Sequence, residues 1–331
     1  MNATRKLGTL ILMITLIGGL LSACGSKAEP PTTTAEAESG ESTTSTRAQS
    51  EQSETKSYTD SLGHKVEIPV NAKRIIFTGS DLGDLLALDV KPVGAALGII
   101  GDQIAYPELL DGIEDVGDLQ GDLEKITSLS PDLILLDAGG SYYEENQYTL
   151  LSKIAPTVTY DRLSTNERVK VFGDILGKEQ AAEEWIKTYA EQSEQVRNQL
   201  DLPTGVTASV FLQLGKDMYV MGNSALAETV YDTLQFTPAP KVKESLIDKN
   251  ERFANISSEL LPEYAGEYLF VLTDLSEEER NNSDSIMTTD IWKSIPAVKN
   301  NKVYYLNTKW NFDDPITKER LMDELPSILG K

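Results

Sequence analysis

The sequence contains one cysteine, Cys24, and one histidine, His64, among 331 residues. A single thiol excludes a disulfide within the chain, so the folded part depends on its hydrophobic core alone. One imidazole and one thiol also cannot supply the three or four nitrogen and sulfur ligands of a protein-bound zinc ion. The composition therefore excludes a zinc site built from histidine and cysteine, and we interpret His64 as a surface turn residue.

The sequence also lacks the common motifs of hydrolases and of nucleotide sites: G-x-S-x-G, H-E-x-x-H and a phosphate-binding glycine loop. Basic residues are few, since 30 Lys and Arg face 52 Asp and Glu, and the net charge is -22. Such a balance argues against nucleic acid as a partner. We therefore expect a protein that is not an enzyme, has no cofactor and does not bind nucleic acid.

The only cysteine follows an apolar segment near the start of the chain. Arg5 and Lys6 precede Leu7–Leu21, a run of 15 residues without a charge, which is shorter than the ~20 residues of a membrane-spanning helix. A positive start, a short apolar middle and small residues before a cut are typical of a secretory signal; the alternative is a short anchor that is never cleaved. The tetrapeptide Leu21-Ser22-Ala23-Cys24 resembles the lipobox of bacterial lipoproteins. The resemblance implies a signal peptide of residues 1–23 and a lipid on Cys24.

The segment after the cysteine has nothing to bury. Gly25 to Ser57 are 33 residues without Val, Ile, Leu, Met, Phe, Tyr or Trp, a composition typical of disorder. We expect residues 24–57 to form a lipidated, disordered tether on the extracytoplasmic face of the cell membrane. Removal of residues 1–23 would take away two cations and no acid and move the net charge to -24.

The remaining residues, 58–331, are predicted to fold into two lobes. Residues 58–165 alternate strands, such as Arg74–Thr78 and Leu133–Leu136, with short helices, which indicates a parallel sheet. Residues 166–200 read as helix with a break at Gly177, and Lys178–Leu200 is polar around most of its circumference, as in a helix that bridges two bodies. Residues 201–331 return to alternating strands and helices. The predicted class is α/β: two Rossmann-like lobes with mainly parallel sheets joined by one long helix.

The two lobes have similar segments in the same order. "ISSELLPEYAGEYLFVLTD" has the layout of "DLEKITSLSPDLILLDA", and "IWKSIPAVKNNKVYYLN" has that of "LLSKIAPTVTYD". We interpret this as a weak internal repeat.

Several stretches, in their order and spacing, resemble the siderophore-binding lipoproteins of ABC importers in Gram-positive bacteria. They are "TDSLGHKVEIPVNAKRII", "LLALDVKPVGA", "LEKITSLSPDLIL", "VFGDILGKEQAAEEWIKTY", "WKSIPAVKNNKVYYL" and "DPITKERLMDEL". The resemblance covers nearly everything from Tyr58 to the end. It implies a ligand cleft between the lobes, where open α/β sheets bind at the carboxyl ends of their strands, and a long helix that keeps the lobes nearly fixed.

The function implied by this resemblance is an extracytoplasmic substrate-binding protein. It would bind an iron(III)-siderophore complex, without ligating the metal directly, and deliver it as a monomer to an ABC permease and its ATPase. Within the same fold, a haem- or cobalamin-binding homologue is the alternative. From other classes, a surface lipoprotein enzyme or an adhesin remains open.

Candidate ligand contacts lie in loops at predicted strand ends. Aromatic faces suit the organic shell of a siderophore, and fixed cations suit its oxygens. The resemblance points to Trp310 and Tyr219, which match ligand-contacting aromatics of the hydroxamate-binding branch. That branch often has an arginine after the strand corresponding to "MYVMG"; here "NSALAE" has none, which gives more weight to two other arginines. The candidates are Tyr142, Tyr143, Arg162, Tyr219, Met221, Arg280, Lys309 and Trp310.

Two glutamates occupy equivalent places in the repeat. Glu124 and Glu259 each lie in the first turn of a predicted helix, where the helix dipole favours an acid. The resemblance implies a further role, because the family uses one glutamate at this place in each lobe to dock onto arginines of the permease. We expect both glutamates to contact the permease.

Overall fold

The computed structural model describes residues 54–100, 103–139, 143–161, 163–202, 204–274 and 286–330. The first strand begins at Thr55, before the predicted start of the folded part at Tyr58. Thr55 to Ser57 are therefore strand rather than tether. They carry no large apolar side chain, and the antiparallel backbone pairing with the next strand places them.

The N-terminal lobe contains a two-stranded hairpin and a five-stranded sheet with short helices. In chain order its elements are β1 (Thr55–Thr59), β2 (Lys65–Pro69), β3 (Ile75–Phe77), α1 (Gly83–Leu86), β4 (Gly94–Ala95), α2 (Leu97–Ile100), β5 (Glu114–Asp115), α3 (Leu123–Ser128), β6 (Leu133–Asp137), α4 (Glu145–Leu151) and β7 (Thr157–Tyr160). The sheet has the order β5-β4-β3-β6-β7, and every pair is parallel. Since β6 and β7 are almost wholly buried, they read as apolar runs in the sequence, as expected for a parallel sheet covered on both faces.

Two helices follow, and the C-terminal lobe completes the chain. The elements are α5 (Thr165–Leu176), α6 (Glu179–Leu200), β8 (Thr207–Leu214), β9 (Asp217–Met221), α7 (Leu226–Glu228), β10 (Thr237–Pro238), α8 (Pro240–Ser245), β11 (Phe253–Ile256), α9 (Leu261–Tyr264), β12 (Tyr268–Thr273), α10 (Asp290–Ser294), α11 (Pro296–Lys299), β13 (Val303–Asn307) and α12 (Pro315–Ile328). The second sheet runs β11-β9-β8-β12-β13, with β10 also on β8.

The second sheet is mixed. Strands β8, β10, β12 and β13 are parallel, whereas β9 pairs antiparallel with both β8 and β11. The α/β class with mainly parallel pairing is confirmed, and the antiparallel ribbon β9–β11 is the departure from it. Three strands in each sheet show the internal repeat, because β3-β6-β7 and β8-β12-β13 are parallel neighbours in the same chain order.

The long helix predicted from the sequence is α6, which spans 22 residues, or about 33 Å at 1.5 Å per residue. Gly177, with φ of 66°, ends α5 in a left-handed cap, a conformation that costs glycine little. The buried residues of α6 follow one another at intervals of three or four and so form a single stripe: Ala182, Trp185, Tyr189, Ser193, Val196 and Leu200. This stripe packs against α5 and α12, so the other faces of the helix remain polar.

One hydrophobic cluster extends through both lobes. It includes Phe77 and Leu135 of the first sheet, Phe172 and Trp185 of the connecting helices, and Phe270 of the second sheet. Because the helices α5, α6 and α12 contribute to the same core as both sheets, separation of the lobes would expose apolar surface to water.

A buried ion network centred on Arg168 of α5 joins the lobes. Arg168 Nε donates to Asp84 Oδ2 of α1 at 2.7 Å, and its Nη2 donates to Asp313 Oδ1, just before α12, at 2.9 Å. All three residues are at most 6% exposed. Beside them, Lys318 Nζ of α12 donates to Glu228 Oε1 at 2.6 Å. The network therefore connects one helix from each part of the chain at the point where the lobes meet.

A close backbone approach accompanies the network. Asp314 begins α12 by accepting from Thr317 N at 3.0 Å, and its carboxylate lies against Gly83 of α1. A Cβ on Gly83 would lie 1.8 Å from Asp314 Oδ1, closer than any real contact. Glycine at position 83 is thus required for α1 and α12 to pack together.

The carboxyl groups of the network titrate differently. Burial raises the pKa of Asp84 to about 7, although the charge and hydrogen bond of Arg168 oppose it. Burial acts in the same direction on Asp313, but the positive charges of Arg168 and Lys318 outweigh it and hold the pKa of Asp313 well below its usual range. Asp313 is therefore the ionised partner of Arg168 at neutral pH, while Asp84 exchanges its proton near neutrality.

Substitution of Arg168 by Met should destabilise the fold by about 3–5 kcal/mol, because it leaves Asp84 and Asp313 buried without their cation. Urea unfolding followed by circular dichroism measures the change. The control is Lys187→Met, which removes an exposed ion pair with Glu191 and should change stability by about half a kcal/mol or less. Similar small effects for both variants would show that the network does not support the fold.

Stability should also depend on Asp84 ionisation. Between about pH 4 and about pH 7 the folded state keeps the Asp84 proton and the unfolded state has lost it, so the folded state loses relative stability as pH rises. The free energy of unfolding of the wild type, relative to Asp84→Asn, should fall by up to about 4 kcal/mol over this range, at about 1.4 kcal/mol per pKa unit. Urea unfolding at each pH measures it, with Asp89→Asn on the surface as control. A difference that is constant or rises with pH would contradict the assignment.

Candidate functional site

A cavity of about 180 Å³ opens above the ion network, between the lobes. Its wall includes residues that follow the carboxyl ends of three parallel strands, namely Asp81 after β3, Asp137 at the end of β6 and Asp161 after β7. Open α/β sheets bind their ligands at this edge. The opposite wall comes from the C-terminal lobe, with Asn223, Ser224 and residues beyond them.

The lining of this cavity, here called the acidic cavity, is rich in carboxyl groups. They belong to Asp81, Asp137, Asp161, Glu228, Asp232 and Asp313, against the guanidinium groups of Arg168 and Arg252. Arg168 is bonded to Asp84 and Asp313, and Glu228 to Lys318. Burial, followed by the negative charge of Asp313, raises the pKa of Asp81 well above its usual range.

A second cavity of about 400 Å³ lies in the C-terminal lobe. It is lined by Leu212 and Leu214 at the end of β8, Tyr219 and Met221 of β9, Phe253 of β11, and Asn311 after β13. Its walls are mostly apolar, and we call it the apolar cavity. Two of its large side chains are open to solvent, since Leu214 is 51% and Phe253 54% exposed. Exposed aromatic and aliphatic side chains around a concavity are typical of a ligand-binding surface.

Ser224 and Arg252 line both cavities, so the two adjoin. The guanidinium of Arg252 is half-buried and forms no ion pair with any described residue. It therefore presents hydrogen-bond donors and a positive charge at the junction of the cavities, where an oxygen-rich ligand would meet them.

Two of the predicted ligand residues lie in the apolar cavity. Tyr219 is half-buried there, and its ring lies edge-on to that of Phe253, with 5.9 Å between the centroids. Met221 lines the same cavity and is 4% exposed. Antiparallel pairing explains the arrangement, because Tyr219 lies opposite Leu212 of β8, and Met221 lies opposite Phe253 of β11.

Three other predicted residues line neither cavity. Trp310 is 6% exposed, and Lys309 Nζ lies 4.6 Å from the centroid of its ring, a cation–π contact. Tyr143 donates its hydroxyl hydrogen to Glu145 Oε2 at 2.8 Å. The neighbouring Thr308 connects the lobes, since its hydroxyl lies 2.8 Å from Gln103 Oε1. For Trp310, Lys309 and Tyr143, ligand contact stays a prediction.

The remaining candidates, Tyr142, Arg162 and Arg280, lie outside the described residues, as does Cys24. Of the residues that are described, three in the cavities were not predicted: Arg252, Phe253 and Asn311. Arg252 supplies the kind of side chain that the sequence lacks after β9. The sequence gives little sign of it, because Arg252 precedes β11, and only the pairing of β11 with β9 brings it to the cavity.

The two candidate docking glutamates are exposed and form no ion pair with a described residue. Glu124 lies in the first turn of α3, where Asp122 caps the helix by accepting from the Glu124 and Lys125 amides. Glu259 lies in a single 3₁₀ turn, Ser258–Leu260, that leads into α9. Each therefore precedes the corresponding strand of the repeat, β6 or β12, and a docking role stays a prediction.

The described ranges contain no helix with the length and hydropathy to cross a membrane. Within the same ranges, no three His, Cys, Asp or Glu side chains are placed to hold a metal ion.

Two relatives from Bacillus subtilis are similar over most of the chain. The iron(3+)-hydroxamate-binding protein FhuD is 29% identical, over 99% of this chain and 98% of its own length. The iron(3+)-hydroxamate-binding protein YxeB is 28% identical, over 85% and 87%.

Solved structures show the same fold. Staphylococcus aureus SirA in complex with staphyloferrin B has a TM-score of 0.72 and is 25% identical, covering 83% of this chain and 99% of SirA. A periplasmic binding protein component of a ferrichrome ABC transporter from Bacillus subtilis, of the FhuD fold family, has a TM-score of 0.68 and is 29% identical, covering 83% and 100%. Residues 77–309 match the periplasmic binding protein family, and the chain belongs to that family.

Proposed function

We propose that this protein is the binding component of an ABC importer and that its ligand is a ferric siderophore of the hydroxamate class. The observation that carries the proposal is the pair of adjoining cavities with Arg252 at their junction. Relatives named for iron(3+)-hydroxamate binding, similar over nearly the whole chain, support the ligand class.

The chemistry of the cavities suits such a ligand. In a ferric siderophore the iron is already surrounded by ligand oxygens, so the protein has to bind the oxygens and the organic shell rather than the metal. Arg252 would donate hydrogen bonds to the chelate oxygens. Tyr219, Phe253 and Met221 would pack against the organic part, and the volume of about 400 Å³ lies within the range of small-molecule sites.

Delivery requires a second contact, with the permease and its ATPase. We propose that Glu124 and Glu259 make it, because both carboxylates are exposed and precede corresponding strands of the repeat. We also propose that the protein is a monomer held at the extracytoplasmic membrane surface by a lipid on Cys24, as the lipobox-like tetrapeptide indicates.

Ligand binding is tested on the full-length protein in detergent by quenching of tryptophan fluorescence. The titrants are ferric hydroxamate, catecholate and citrate complexes, haem and cobalamin. A ferric hydroxamate should quench saturably, and Arg252→Gln should weaken its binding about tenfold or more, because a charge-assisted hydrogen bond is lost. Lys299→Gln, an exposed cation on α11, is the control and should leave the affinity unchanged.

Binding of haem or cobalamin alone would reject the siderophore, and full affinity in Arg252→Gln would reject the role of that arginine. The same titration of Trp310→Leu tests the predicted contact. A quench that disappears while binding persists by calorimetry would place Trp310 next to the ligand.

Permease docking is tested by iron uptake in cells that depend on this protein. The double reversal Glu124→Arg with Glu259→Arg should reduce uptake about tenfold or more and leave the ligand affinity of the purified protein unchanged, because like charges would face each other across the contact. A matched control, Glu184→Arg with Glu194→Arg, makes the same change of charge on the exposed face of α6. Normal uptake in the first variant would reject the docking assignment.

A further inference from the structure

The acidic cavity has more negative than positive groups within reach. Arg168 is bonded to two carboxylates, and Lys318 is paired with Glu228, so both cations are already used. Neither Asp81 nor Asp232 forms an ion pair with a described residue. Asp81 accepts from the Ser80 hydroxyl at 2.9 Å, and Asp232 accepts from Asn223 Nδ2 at 3.0 Å. The cavity between them therefore lacks a compensating charge.

An independent observation in the adjoining apolar cavity also indicates a ligand with hydrogen-bond donors. Asn311 Oδ1 is buried and has no hydrogen-bond partner among the described residues, and Asn311 lines that cavity. A buried acceptor without a donor lowers stability, so a ligand N–H that reached it would be favourable. The two cavities thus both accept from a ligand, apart from the donors that Arg252 provides at their junction.

The volumes assign different parts of one ligand to the two cavities. The acidic cavity, at about 180 Å³, is smaller than a typical small-molecule site, but it has room for an alkylammonium chain. The apolar cavity, at about 400 Å³, is of ordinary size for a compact ligand. Because the cavities share Ser224 and Arg252, one molecule can occupy both.

We propose that the ferric siderophore bound by this protein carries a protonated amine, that the amine lies in the acidic cavity beside Asp81 and Asp232, and that the iron chelate fills the apolar cavity. This inference rests on the proposed function and narrows its ligand to complexes with a pendant cation. The ammonium would supply the charge that the cavity lacks, and negatively charged complexes would be repelled.

The test compares two probes that share an iron centre and differ by one charge: ferrioxamine B, a linear hydroxamate complex with a free ammonium, and its N-acetylated, uncharged form. Calorimetry on the full-length protein in detergent should show the ammonium form binding about tenfold more tightly or better. Asp232→Asn and Asp81→Asn should each weaken binding of the ammonium form and reduce the ratio, with no change for the acetylated form. Because Asp232 is exposed, its substitution leaves the packed core intact.

Asp89→Asn, which removes an exposed acid outside both cavities, is the control and should leave the ratio unchanged. Equal affinities of the wild type for the two probes, or tighter binding of the acetylated form, would overturn the inference while leaving the proposed function in place. Tighter binding of ferric citrate or of a ferric catecholate than of both probes would do the same. If no ferric complex binds, the proposed function fails, and this inference fails with it.

Discussion

The ion pairs of Arg168 with Asp84 and Asp313 are the interaction on which the arrangement of the lobes depends. Arg168 belongs to the helix between the lobes, Asp84 to the first lobe and Asp313 to the second. A charge buried this deeply is stable only when its partners stay in place. Any rotation of one lobe about the other would lengthen at least one of these contacts, so the network restricts motion at the base of the cleft.

The same network determines the charge of the cavity above it. Because Arg168 and Lys318 lie at the meeting point of the lobes and are already paired, their charges are not available to a ligand. The carboxyl groups along the strand ends remain, and Arg252 stands at the edge of the cavity. The structure thus separates two tasks: two cations hold the lobes together, and a third faces the ligand.

The sequence predicts the parts of this fold whose pattern is local. Lys178–Leu200 reads as a long polar helix and is α6, because a stripe of spaced apolar residues specifies a helix and its buried face. The apolar run Leu133–Leu136 is the buried strand β6 for a similar reason. Contacts between distant segments have no such signature. Arg252 reaches the site through the pairing of β11 with β9, and Asp84 meets Arg168 across 84 positions of the chain.

The repeat explains which parts of the site could be inferred by analogy and which could not. Strands β3-β6-β7 and β8-β12-β13 follow the same order, so Glu124 and Glu259 were recognisable as a pair from the sequence. On the other side of each sheet the lobes differ, since β4 and β5 are parallel and β9 and β11 antiparallel. Tyr219, Met221, Arg252 and Phe253 all lie on or next to that antiparallel ribbon. The proposed ligand contacts therefore arise where the second lobe departs from the first, and the proposed permease contacts arise where the two agree.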